Sequence, residues 1–404
     1  MRKTFDPFKT ILSGCALALA MHSAAQAGGF KVIHYFAGGT GDGALPNEVL
    51  PRKNGSKTEF FLTTFSGGEK NEGTISLIGQ NGNVTILHSF GHVDPYDGTY
   101  PAGSLALDRN PDGTQSVVGT TSEGGLPGYG TIFEIGLDGS LYARDYDFQG
   151  NQSGDGRGPM SGLAFDPKDH YFYGTTLAGG DSNDDGTVYK FGGFVHGYSY
   201  GVLGAYSWNS KNPYATPLVS ADTGDVYVTG AEGGGYGLGG ADAVDTSGNW
   251  RAVADFSGNG DGANPEGTMV EYNGYYYGTT AYGGSDGLGT IFIVSWNGAY
   301  RQTLYSFKGV CCGRSDGSFP IGGLVLKNGK FYGTTINGGS SSDLGTVFQF
   351  DPATGAETVL HAFTGTDGAH PYARVAFLGA KALYGTTNGG GHDDNGVLFK
   401  MTLK

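Results

Sequence analysis

The apolar and polar positions of this chain repeat. From Lys330 to Phe350 the sequence KFYGTTINGGSSSDLGTVFQF reads as a short β-prone run, Phe331 to Thr335, then a polar loop opened by Gly338-Gly339. Gly345 to Phe350 follows and alternates like a half-buried strand. Tyr173-Gly174-Thr175-Thr176, Tyr277-Gly278-Thr279-Thr280 and Tyr384-Gly385-Thr386-Thr387 are near-identical copies of the first run. Val118-Gly119-Thr120-Thr121 and Phe61-Leu62-Thr63-Thr64 are drifted copies, and Tyr227-Val228-Thr229-Gly230 has drifted furthest. The copies recur at roughly 50 to 57 residues, the period of propeller blades rather than of β-helix coils.

Each repeat holds four strand-like pieces, in the sixth Gln302 to Phe307, Leu324 to Lys327, Lys330 to Thr335 and Thr346 to Phe350. The link from Phe350 to Thr358 is short enough for a hairpin, so each Thr-Val-Phe strand pairs with the strand that follows it. That leaves Phe30 to Phe36 without a preceding blade and Val397 to Thr402 without an outer partner. Pairing the two closes a ring and removes two exposed sheet edges. The pattern therefore predicts an all-β, seven-bladed β-propeller of four-stranded blades, one domain over residues 28–404, closed by the N-terminal strand. A stack of independent sandwiches is the alternative.

The first 27 residues read as a signal peptide. Arg2, Lys3 and Lys9 give a basic start, Ile11 to Met21 is a short apolar run, and Ala25-Gln26-Ala27 is a small-x-small cleavage site. Secretion or periplasmic release after cleavage near Ala27 is expected, and a lipoprotein box at Leu12-Ser13-Gly14-Cys15 is the weaker reading. The full chain carries a formal charge of −14, and losing three basic residues with Asp6 makes it more negative. Such a surface repels phosphate backbones and anionic lipid, so nucleic acid and membrane surfaces are poor partners. No later segment is apolar enough for a membrane span, and a monomer is expected. Cleavage leaves Cys311 and Cys312 in a chain with 77 glycines, a turn-rich β protein that does not rest on a disulfide framework.

The recurring order aromatic-x-Phe, Asp-Gly-x-x-Pro, Tyr-Gly-Thr-Thr, Gly-Gly, Gly-Thr-Val-Phe resembles the GloVer tandem repeat of bacterial exported proteins. Kelch repeats share the Gly-Gly feature, but the Tyr-Gly-Thr-Thr core matches GloVer better. The resemblance covers nearly all of the chain after the leader. It implies an exported, propeller-like repeat protein and no particular activity.

Repeats carry an internal control: a residue type shared by most copies serves the scaffold, and an outlier in its slot is a candidate site. His34, His88 and His361 share a strand slot with Tyr146, Tyr206, Ala254 and Tyr305, so they read as packing rings. Asp42, Asp97, Asp155, Asp261, Asp316 and Asp367 each precede a loop proline by four residues and read as self-capped Asp-Gly turns. The threonine pairs read as strand formers whose hydroxyls bond neighbouring blades. Three residues past the loop proline stand Val49, Ser104, Gly162, Ser220, Thr268, Gly323 and Arg374. Arg374 is thus the sharpest outlier, a planar fork for a carboxylate or sulfate, or an ion-pair partner for Glu48 across the closing seam.

The Asp-Gly and Gly-Gly loops emerge on one face if the strand before Asn328-Gly329 is innermost. On that face Tyr100, Tyr129, Tyr282, Phe319 and Tyr372, with Tyr96 and Tyr236, are candidate sugar-stacking rings, and Arg314 a candidate ligand contact. His370 and His392 with Asp393 and Asp394 lie in the same-face loops of Arg374's blade. Arg374, His370, His392 and Asp393 could together serve acid–base cleavage of a glycosidic or uronate linkage. Asp181, Asn183 and Asp185 match the first half of a calcium loop, but the twelfth position is Gly192, so a structural Ca²⁺ is the one cofactor expected. Cys311-Cys312 could close into a vicinal disulfide or stay reduced. The leading functional expectation is a non-catalytic binding protein for carbohydrate or another extracellular polymer. A polysaccharide lyase or glycoside hydrolase on the same scaffold, or a surface module contacting other proteins, is the alternative.

Overall fold

The computed structural model describes residues 28–404 apart from 93–95, 110–112, 194–195, 207–209 and 311–314. It forms seven four-stranded antiparallel blades in a ring. In the sixth blade the strands run Val325–Lys327, Lys330–Thr335, Thr346–Asp351 and Ala356–Ala362 from the axis outward, the first three within a residue of their sequence-based expectation. The innermost strands of neighbouring blades touch, Leu50–Asn54 of the first against Ala376–Leu378 of the seventh. The seventh blade takes its outermost strand from the N-terminus: Phe30 pairs with Met401 and Tyr35 with Val397. Closure is therefore as expected, and Val397–Thr402 is not left as an open edge.

The core lies between blades. Phe60, Leu62 and Ile78 of the first blade pack with Tyr384 and Leu398 of the seventh, all buried, so the closing seam is as apolar as the others. Each fully buried ring or branched chain of this kind contributes roughly 1.5–3 kcal/mol. Between the third and outermost strands every blade slips its register once, as at Val347/Phe348 and Val32/His34. Such a bulge bends the outer strand and re-aims the side chain beside it.

At that bulge sits the ring slot read from the sequence, and its rings do more than pack. His34 Nε2 lies 2.9 Å from Asp42, His88 Nε2 2.8 Å from Asp97 and His361 Nε2 2.9 Å from Asp367. The Tyr146 and Tyr305 hydroxyls donate to Asp155 and Asp316, each at 2.8 Å. The same carboxylates accept backbone N–H groups of their own turns, as Asp42 does from Ala37 at 3.0 Å and from Gly43 at 2.8 Å. Burial alone would raise the Asp97 carboxyl. Hydrogen bonds from His88, Tyr142 and Gly98 and the charge of His88 outweigh it and hold Asp97 below the ordinary carboxylate range. One assignment shifts. Tyr206 N–H bonds the Gly186 carbonyl as Phe363 N–H bonds that of Gly345, so Tyr206 fills the phenylalanine slot two residues on. Gly204, opposite Val188, takes the ring slot.

The threonines divide their work. The second of each pair bonds within its blade, Thr335 Oγ1 to Thr346 Oγ1 at 2.7 Å and Thr121 to Thr131 at 2.8 Å. The first reaches the next blade's loop. Thr120 donates to the Ser161 carbonyl at 3.1 Å, Thr334 to Ala373 at 3.1 Å and Thr386 to Asn47 at 2.8 Å. These bonds hold the residues just past the loop proline at the axis.

Candidate functional site

The proline loops of all seven blades, six of them Asp-Gly loops, converge on an axial cavity of about 330 Å³. Each loop returns to its own blade by pairing with the end of the second strand, as Gly43–Pro46 does with Lys57–Gly67. The loop proline then packs on a glycine of the preceding blade. A Cβ on Gly396, at φ +95°, would lie 2.8 Å from Pro46 Cδ, and one on Gly345, at φ +94°, 2.6 Å from Pro371 Cδ. Only glycine leaves room for the proline, and only glycine takes that backbone conformation at little cost.

The residue before the proline is left-handed in every blade. Leu45, Tyr100, Gly158, Asn212, Asn264, Phe319 and His370 have φ between +52° and +63°. Such a conformation in a non-glycine residue is held only by its surroundings. Here the N–H reaches back to the previous blade's Gly-Gly loop: Tyr100 to the Glu72 carbonyl at 2.8 Å, Phe319 to Leu288 at 2.9 Å and His370 to Leu344 at 2.8 Å. The carbonyl accepts from the residue's own blade, as Phe319 does from Ile336 and His370 from Asn388, each at 3.2 Å.

The residue after the proline faces the cavity in every blade: Asn47, Ala102, Met160, Tyr214, Glu266, Ile321 and Tyr372. Among charged side chains Glu48, Glu266 and Arg374 line it. The Arg374 Nε and one terminal nitrogen donate to Glu48 Oε1 at 3.2 and 3.0 Å, with side-chain exposures of 26% and 17%. The two readings of Arg374 therefore coincide: it is the seam's ion-pair partner and a wall of the cavity. Burial raises the Glu266 carboxyl above the ordinary range. Burial, and after it the Glu266 charge, raises the phenols of Tyr214 and Tyr372. These three groups share one field at the axis.

Most other sequence candidates sit elsewhere. Tyr100 stacks on Phe65 at 5.2 Å, and it is Phe65 that reaches the cavity wall. Tyr282 and Phe319 meet edge to face at 5.2 Å. The Tyr129 carbonyl accepts the Gly158 N–H at 2.9 Å, the same link that Leu288 and Leu344 supply in sister blades. His370 Nδ1 lies 3.0 Å from the Ile336 carbonyl, and His392 stacks on Tyr35 at 4.2 Å, out on the N-terminal strand. Asp393 is exposed beside it, and none of these three lines the cavity with Arg374. Asp394 bonds the Gly390 N–H at 2.7 Å, a loop cap that Asp184 and Asp343 repeat on Gly179 and Gly338.

The calcium half-loop is engaged within the protein. Asp181 accepts the Asn183 N–H at 2.8 Å, and Asp185 pairs with Lys211 at 2.8 Å. Among the described residues no three Asp, Glu, His or Cys side chains are grouped to hold a metal ion. Arg314, Cys311 and Cys312 lie outside the described residues.

The post-proline ring escaped the slot comparison for two reasons: the slot compared lies three residues past the proline, and the fourth loop was counted from the wrong one. The fourth loop carries two prolines, and counting from Pro217 puts Ser220 in the slot of Arg374. In the structure Pro213 is the loop proline: Thr175 reaches its carbonyl, and Tyr214, Ala215 and Thr216 line the cavity. Thr216 is therefore the sister of Arg374, and Ser220 bonds the Tyr276 hydroxyl at 3.0 Å. Counting from Pro213 and reading one residue past each proline would have exposed the ring.

The sequence matches the Gloeobacter/Verrucomicrobia repeat over residues 20–207 and 196–399. No curated protein matches it. Among solved structures it resembles a puromycin-hydrolyzing peptidase of Mycobacterium tuberculosis, at 13% identity and TM-score 0.53 over 91% of this chain. The chain spans about half of that peptidase, 52% of its length. It also resembles an oligogalacturonate lyase solved in complex with manganese, at 12% identity and TM-score 0.52, covering 90% of this chain and 98% of the lyase. At such identities the likeness is one of fold. Among the described residues no helix is long and apolar enough to cross a membrane.

Proposed function

This chain belongs to the Gloeobacter/Verrucomicrobia repeat family, and we propose that it is an exported, non-catalytic binding propeller whose axial mouth takes part of an extracellular polymer, carbohydrate foremost. One observation carries the reading: seven loops built on one plan deliver seven side chains of six types to one cavity. Tyr214 and Tyr372, 41% and 52% exposed, are rings on which a pyranose face can stack. Asn47, Glu266 and Thr268 supply polar groups for hydroxyls, and Met160 and Ile321 apolar walls, the usual make-up of a ligand cavity. Of the residues that an enzyme reading would need, Arg374, His370 and His392 have separate partners, and Asp393 is exposed away from the cavity. Export follows from the leader read in residues 1–27.

The mature chain should be retained on a polysaccharide array and release neither sugars nor unsaturated uronates. Tyr214→Ala and Tyr372→Ala should each weaken retention while keeping the wild-type melting temperature within a few degrees. Product formation, or retention indifferent to both substitutions, would overturn the reading.

A further inference from the structure

We propose that the axial cavity takes a protonated amine, held by the Glu266 carboxylate with the rings of Tyr214 and Tyr372 alongside. The inference rests on the axial cavity being the binding site, and it adds the charge of the ligand.

Charge balance is the first argument. Among the described residues two carboxylates and one guanidinium line the cavity, and the guanidinium of Arg374 is already taken up by Glu48. One negative charge is left over, that of Glu266. No hydrogen bond or ion pair joins Glu266 to another described residue, and burial is the one influence on its carboxyl. A partly desolvated carboxylate without a partner is costly, and an arriving cation recovers that cost.

Chemistry narrows the cation. A single carboxylate among phenols is a poor donor set for a divalent metal, which needs several oxygens or nitrogens in a fixed geometry. Aromatic faces beside a carboxylate suit an ammonium group, whose charge is attracted to ring faces and whose N–H groups donate to the carboxylate. Met160, Ile321 and Ala102 on the same ring of positions give apolar walls for the carbon skeleton that bears it. The charge of −14 on the whole chain draws cations toward the surface and repels an acidic polymer. An amine of this kind comes either from an amino sugar with its nitrogen unacetylated or from a lysine side chain.

The test titrates the mature protein with four probes: a glucosamine oligomer, the N-acetylglucosamine oligomer of equal length, a lysine-rich peptide and its acetyl-lysine counterpart. An amine form should bind at least about tenfold more tightly than its acetylated partner, and Glu266→Gln should remove about tenfold or more of that affinity. The melting temperature of Glu266→Gln should hold or rise, since an unpaired carboxylate has been removed, so lost binding is not lost folding. Preference for the sugar or for the peptide identifies the source. Acetylated probes binding as well as amines, or a Glu266→Gln variant that binds like the wild type, overturns the inference. If the N-acetylated oligomer binds with a dependence on Tyr372 and the amine adds nothing, the axial site stands and its cation preference falls. If no probe binds in a way that depends on Tyr214 or Tyr372, both fall.

Discussion

Before the loop proline stand Leu45, Tyr100, Gly158, Asn212, Asn264, Phe319 and His370, and just after it Asn47, Ala102, Met160, Tyr214, Glu266, Ile321 and Tyr372. Both sets vary, and neither looks more functional on paper. Before the proline the backbone does the same job in every blade: it is left-handed, its N–H reaches the previous blade, and its carbonyl serves its own blade where these bonds are described. Variation there is tolerance, because the side chain has no shared task. After the proline the backbone is held by threonines of the neighbouring blade, and the side chains meet at the axis. Variation there is content. A variable slot marks a site only where the fold gathers its copies at one place.

The largest expected effect comes from breaking the scaffold under the proline. Gly396→Ala puts a Cβ 2.0 Å from the Thr387 carbonyl oxygen and 2.8 Å from Pro46 Cδ at the closing seam. It should cost about 2–4 kcal/mol in denaturant unfolding, combining a left-handed alanine with a backbone clash. Gly39→Ala is the control, left-handed at φ +73° with nothing within 4 Å of its Cβ, and should cost about 1 kcal/mol. Equal losses would mean that the glycine–proline contact between blades contributes nothing beyond backbone conformation.

Much of this scaffold was legible in the sequence, and the reason is periodicity. Tyr-Gly-Thr-Thr and Gly-Thr-Val-Phe recur with strand spacing, and an unpaired strand at each end leaves ring closure as the economical solution. Val397–Thr402 has the bounds its pattern predicts. The Asp-Gly turns were legible because turn chemistry is local. The left-handed residues were not, because Tyr100 and Phe319 are residue types that rarely adopt positive φ, and contacts between blades hold them there. For the same reason they read as loop-face site candidates. Glu266 was missed because it stands one residue past its proline, whereas the slot compared lies three past it.

A smaller effect separates two copies of one threonine. Thr334 Oγ1 donates to the Ala373 carbonyl at 3.1 Å, whereas the Thr279 hydroxyl is buried with no hydrogen-bond partner among the described residues. Thr334→Val should cost about 1 kcal/mol by leaving a carbonyl of the axial loop unsatisfied. Thr279→Val should be neutral or stabilising by a few tenths of a kcal/mol, since it removes a hydroxyl without a partner. Unfolding curves of the two variants decide the matter: equal destabilisation would show that the interblade hydroxyl bond is not what holds the loop at the axis.

The smallest effect on stability belongs to the pair that joins both halves of the comparison. Arg374 and Glu48 sit past the loop proline, in slots that are otherwise small or apolar, and they meet across the closing seam. The other five loops hold their place without such a pair, so folding does not require it. With both side chains partly exposed, the pair should contribute about 0–1 kcal/mol. Arg374→Ala and Glu48→Ala should then destabilise comparably, and the double variant should lose less than the sum of the two. Binding should respond differently to the two changes. Glu48→Ala releases the guanidinium into the cavity and cancels the spare negative charge there, so an amine should bind more weakly and an acidic sugar more tightly. Arg374→Ala leaves two unpaired carboxylates, so the amine should gain. Opposite shifts in affinity at nearly equal melting temperatures would place the pair at the ligand. Identical shifts, or affinity that merely follows stability, would leave it as a seam contact and return the weight of recognition to Tyr214, Glu266 and Tyr372.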